Sequence, residues 1–97
     1  MLIGKIVGTL VATQKDEKLE GLRFMVVKPV DINGKPGNNY VIAADAVGAG
    51  VGEYVLYATG SSARQTVLTD RRPCDATIMA IVDTWEVEGE VKYRKNE

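Results

Sequence analysis

The chain has 97 residues, 45% of them hydrophobic, with 12 basic against 13 acidic side chains and a formal net charge of -1. A chain of this length makes one domain with a modest core, hiding only about 60 to 68% of the surface its unfolded form exposes, and its balanced charge removes the basic footprint of a nucleic-acid binder. With no histidine and one cysteine, it lacks the usual general base, any internal disulfide and a thiolate zinc site; without a long apolar run or a leader pattern it reads as a soluble protein of the cell interior, with no membrane partner.

Residues 2–13 alternate as a long first strand with apolar groups on both faces. Gly4 and Gly8 share one face, where they either let a coiled strand bend and a neighbour approach closely or are two tolerated surface glycines. Residues 14–21 form a charged loop. Residues 22–30 give a second strand, with Phe24, the one phenylalanine, as a core candidate. The turn-rich residues 31–39 reverse the chain into a third strand over 40–44, its antiparallel partner being the second.

Residues 45–53 carry glycine at every second position from Gly48 through Gly50 to Gly52, a shaped loop between Asp45 and Glu53. It lacks the Lys-Ser/Thr of a P-loop and feeds a strand over 53–59 where a dinucleotide fingerprint needs a helix, so a structural loop is the favoured reading. Gly60 ends that strand. Ser62 and Gln65 match the capping box of a short helix of at most about two turns. Residues 66–75 link it to a last long strand over 77–87, and Glu88-Gly89-Glu90 reverses the chain into a small terminal hairpin, followed by a fraying tail over 94–97. The fold class is all-β: a small five-stranded, mostly antiparallel, OB-like barrel with one short helix and a terminal hairpin.

Catalytic signals are weak. Asp45, Asp75 and Asp83 are the candidate carboxylate cluster, but without a calcium-loop spacing the favoured roles are loop capping for the first two and an arginine pair for Asp83. Ser61, Ser62 and Arg64 lack a general base in sequence; Arg64 is better suited to tie a loop carboxylate or a neighbouring subunit. Cys74 reads as a buried thiol. Tyr54 and Tyr57 lie on opposite strand faces, at least one being a candidate interface residue. The reading is of a protein that is not an enzyme and has no cofactor or metal. Excess apolar surface on two-faced strands favours self-association, the alternative being a small barrel that binds nucleic acid or another ligand.

Residues 4–13, 22–31, 45–56, 60–64, and Pro73-Cys-Asp-Ala76 leading to Ile81-Val-Asp83, in that order, resemble the small vertex proteins of bacterial microcompartment shells, the carboxysome and ethanolamine-utilisation family. Ala80 stands where that family commonly has glycine, and residues 85–93 are more individual. The resemblance implies one vertex domain over 1–97, a homopentamer closing the fivefold corners of a shell in the bacterial cytoplasm, and hexameric shell proteins as lateral partners. By the same resemblance Asp45, Gly48, Gly50, Gly52 and Glu53 lie near subunit contacts or a central opening, and Ser61, Ser62 and Arg64 shape the interface.

Overall fold

The computed structural model describes residues 1–96. Seven strands follow one another: β1 (Leu2–Leu10), β2 (Phe24–Pro29), β3 (Val41–Asp45), β4 (Tyr54–Thr59), β5 (Ala76–Ile81), β6 (Thr84–Val87) and β7 (Glu90–Arg94), with 3-10 turns at Glu17–Leu19 and Gly60–Arg64. The first five close a barrel in the order β1-β2-β3-β5-β4, and β6 and β7 pair as a separate ribbon. Closure leaves no open sheet edge in the barrel. All its pairings are antiparallel except β3 with β5, where Ala44 faces Thr77 and Asp45 faces Ile78.

The inward residues are the ones that the alternation selects. Ile6, Met25, Val27, Ala43, Val55, Tyr57, Ala76 and Ile78 fill the interior, and Ala49 enters it from the loop between β3 and β4. A second cluster of Leu22, Ala44 and Cys74 takes the half-buried Leu19 and Phe24. Phe24 thus flanks the barrel while Tyr57 is the largest side chain inside it.

Gly4 resolves its two readings. It pairs with Pro29 on one side and Val55 on the other, and a methyl added there would collide with the Val27 side chain and lie 3.0 Å from the Tyr57 ring. Gly8 is different: its added methyl would meet Val26 at an ordinary 3.6 Å. Between them the register moves from Ile6 opposite Val27 to Gly8 opposite Val26, a bulge at Val7 that increases the local twist.

Three expected elements end differently. β1 stops at Leu10, where its pairing with Phe24 runs out, so residues 11–13 are not strand. The expected strand over 77–87 breaks at Val82 and Asp83: β5 stays in the barrel while β6 leaves it to pair with β7 through Glu88 (φ 51°) and Gly89 (φ 81°). Two consecutive positive φ values fit the tight hairpin turn whose twist matches its strands. The tail is anchored through Lys95, whose backbone N–H donates to the Asp83 carbonyl at 2.8 Å; Glu97, the end of the expected fraying segment, lies outside the described residues.

The ribbon is fastened to the barrel by aromatics. Trp85 Nε1 donates to the Ile32 carbonyl at 2.8 Å, and the Trp85 and Tyr93 rings lie 5.5 and 4.4 Å from that of Tyr54. Edge-on geometry of this kind adds about 0.5–1.5 kcal/mol per ring pair beyond burial. Of the two tyrosines of β4, Tyr57 is buried in the core while Tyr54 is half-buried beside the ribbon.

Candidate functional site

The loop from Asp45 to Glu53 is clasped at both ends by its own carboxylates. Asp45 closes β3 with its side chain only 1% exposed; its Oδ1 accepts the backbone N–H of Val47 and of Gly48, each at 3.0 Å, and its Oδ2 meets the Arg23 guanidinium at 3.4 Å. A short acceptor side chain bonding its own backbone two and three residues on is the favoured use of Asp at a turn. At the other end Glu53 Oε1 accepts the Gly50 N–H at 2.6 Å and Oε2 pairs with Lys95 Nζ at 2.7 Å. The bond from Lys95, then that from the Gly50 N–H, holds the Glu53 carboxyl below its ordinary value, while the same bond raises the Lys95 ammonium.

The glycines serve this clasp. Gly48 and Gly52 have φ of 77° and 95°, a region that a Cβ strongly disfavours. Gly52 N–H donates to the Ile6 carbonyl at 2.8 Å, and Ile6 N–H returns a bond to the Glu53 carbonyl at 2.9 Å. With Ala49 plugged into the core, the loop is a rigid tongue laid across the barrel, and Val47 and Val51 are turned outward, 39% and 60% exposed.

The turn Gly60–Arg64 is built differently from its expected capping box. Its N-cap is Thr59, which makes no side-chain cap bond, and Ser62 contributes only its carbonyl, to the Gln65 N–H. Ser62 is inside the turn, too far along to cap it. What fixes the turn is the Ala63 carbonyl, which accepts from Thr77 Oγ1 at 2.7 Å and from Thr69 Oγ1 at 2.8 Å. Both threonines are fully buried; their spacing in sequence carries no sign of a shared acceptor. Arg64 Nη1 donates to the Cys74 carbonyl at 3.4 Å, so its partner in the chain is a neutral oxygen, not the expected carboxylate. Cys74 is a buried free thiol, as its sequence context suggested. Ser61 and Ser62 face solvent.

The eight candidate residues form two patches rather than one. Thr59, next to the turn, pairs with Ala76 at the start of β5, whereas Val55, two residues beyond Glu53, pairs with Ile81 at its end, a separation of roughly 17 Å along an extended strand; Asp45, at the other end of the loop, lies opposite Ile78 between them. The three aspartates do not converge either: Asp75 precedes β5, Asp83 follows it, and both are exposed while Asp45 is buried. Among the described residues no group of three or more His, Cys, Asp or Glu side chains is placed to hold a metal ion. No helix among them is long and apolar enough to cross a membrane.

Comparison with known proteins adds a family to this geometry. The family model described as ethanolamine utilisation protein EutN/carboxysome matches residues 1–83, stopping where the chain leaves the barrel for the terminal ribbon. The carboxysome shell vertex protein CcmL of Synechococcus elongatus is 45% identical over 97 residues, covering 100% of this chain and 98% of that one. The structure of Gloeobacter violaceus CcmL superposes with a TM-score of 0.95 at 40% identity, covering 100% of both chains. The pentameric microcompartment shell protein GrpN of Rhodospirillum rubrum matches with a TM-score of 0.82 at 40% identity, over 90% of this chain and 99% of the other.

Proposed function

The chain belongs to the EutN/carboxysome family, and from that membership we propose that it is a structural shell protein, a pentamer that caps the fivefold vertices of a bacterial microcompartment and seals its corners. Its place is then the shell itself, in the bacterial cytoplasm, with hexameric shell proteins as lateral partners and residues 1–97 as one vertex domain. Its work is geometric. Fivefold units supply the curvature that sixfold units alone do not, and closed corners retain the small intermediates of an enclosed pathway. It carries out no catalysis in this reading.

The observation that carries the proposal is end-to-end likeness to proteins named as shell vertex proteins, one of them named as pentameric. The surface of the chain supports it. A cyclic ring joins one face of each copy to a different face of the next, and this barrel presents apolar groups on separate segments: Leu2 and Val7 on β1, Ile42 on β3, and Val47 and Val51 on the tongue. In the ring, Asp45, Gly48, Gly50, Gly52 and Glu53 hold the tongue against a neighbour or the central opening, and Ser61, Ser62 and Arg64 form the second contact patch. Their separation along β5 suits a head-to-tail contact, which needs two distinct surfaces.

Native mass measurement across a concentration series, followed by coexpression with hexameric shell proteins, tests this. Pentamers and their incorporation into closed shells are expected. Single copies at high concentration, together with exclusion from assembled shells, would overturn it.

A further inference from the structure

Four cations gather away from the tongue. Lys18, Arg64, Arg71, Arg72 and Pro73 line a shallow cleft of about 310 Å³ beside the start of β5. The chain has 13 acidic groups against 12 basic ones, yet among the described residues none of these four cations is ion-paired with a carboxylate, in contrast to Arg23, Lys92 and Lys95. Even Glu20, next to the cleft, offers its carbonyl: Arg72 Nη1 donates to that oxygen and to the Lys18 carbonyl at 3.4 Å. Arg64 is tied to the Cys74 carbonyl.

These bonds orient two guanidinium groups against loops that are about fifty positions apart, while each leaves most of its donor fork unused. Arg71 adds a third guanidinium at a backbone φ of 60°, where arginine is disfavoured and glycine or asparagine would be relaxed. Like charges gathered at a surface repel one another, and a bound group of opposite charge relieves that repulsion.

We propose that this cleft binds a small inorganic oxyanion carrying two negative charges, such as phosphate or sulfate. Planar forks from two or three arginines match pairs of oxyanion oxygens, and Lys18 supplies a point charge. All four cations come from one chain, and Arg64 alone is shared with the subunit contact proposed above. The cleft's exposure to solvent makes the binding weak and salt-sensitive.

The test is calorimetric titration of inorganic phosphate into the full chain at constant ionic strength, with chloride as the reference anion. Saturable binding of one phosphate per chain is expected. Lys18→Gln and Arg71→Asn, changes in two distant segments, should each weaken it by about tenfold, the equivalent of one charge-assisted bond. Arg71→Asn should also keep or raise the melting temperature, because Asn tolerates positive φ; lost binding is then not lost folding. No saturable heat beyond that of chloride, or parent-like binding in both variants, overturns the inference. Absent phosphate binding in pentamers that remain intact by native mass overturns this site alone and leaves the ring untouched.

Discussion

Gly4→Ala is the most telling single perturbation of the barrel. The added methyl meets the Val27 side chain, lies 3.0 Å from the Tyr57 ring and 3.3 Å from the Lys28 carbonyl. Neither strand partner can yield easily, because Gly4 is paired on both sides and Val27 and Tyr57 are almost fully buried. Overpacking of this kind costs about 1–3 kcal/mol, and removing a glycine from the unfolded chain returns about 0.4–1 kcal/mol. The net loss is about 1–2 kcal/mol, or roughly 5–15 °C in melting temperature for a domain of this size. Gly8→Ala is the internal reference: its methyl meets Val26 at 3.6 Å, so it should be neutral or stabilising by up to about 1 kcal/mol. Urea unfolding of the three proteins at one low concentration, which keeps assembly from contributing differently, measures both. A Gly4→Ala protein as stable as Gly8→Ala would refute the claim that close approach, rather than chance, dictates glycine at position 4.

Three further outcomes follow from the tongue. Asp45→Ala strands the Val47 and Gly48 N–H groups and unpairs Arg23, and should cost about 3 kcal/mol in urea unfolding, with Asp45→Asn costing less because its amide oxygen still accepts. Glu53 has a folded pKa lowered from 4.5, so its contribution to stability is present above that ordinary value and is lost as pH falls through the lower folded one; Glu53→Gln should remove that part of the acid dependence of melting between neutral pH and acid, and an unchanged profile would contradict the clasp. Val51→Asp, at a side chain 60% exposed, should leave the subunit's unfolding within about 0.5 kcal/mol of the parent while shifting native-mass populations from pentamer toward monomer; intact pentamers would remove the tongue from the proposed interface.

What the sequence by itself determined is local. Alternation in residues 2–10, 24–29 and 54–59 selects the buried faces because strand side chains repeat every two residues, the turn-rich residues 31–39 bring β2 and β3 together as a hairpin, and the lack of histidine and clustered cysteine limits the chemistry. The loop at 45–53 was legible as a shaped element, although its purpose in holding Ala49 inside and Val51 outside was not. Tertiary structure alone decided the features that join distant segments: the parallel β3–β5 pair that closes the barrel, the departure of β6 after Ile81, the meeting of Glu53 with Lys95, 42 positions apart, the convergence of Thr69 and Thr77 on the Ala63 carbonyl, and the gathering of four cations into one cleft. Periodicity says which face of a strand is apolar, but the same pattern suits any neighbour. Which neighbour it meets depends on where the whole chain returns once its core has closed.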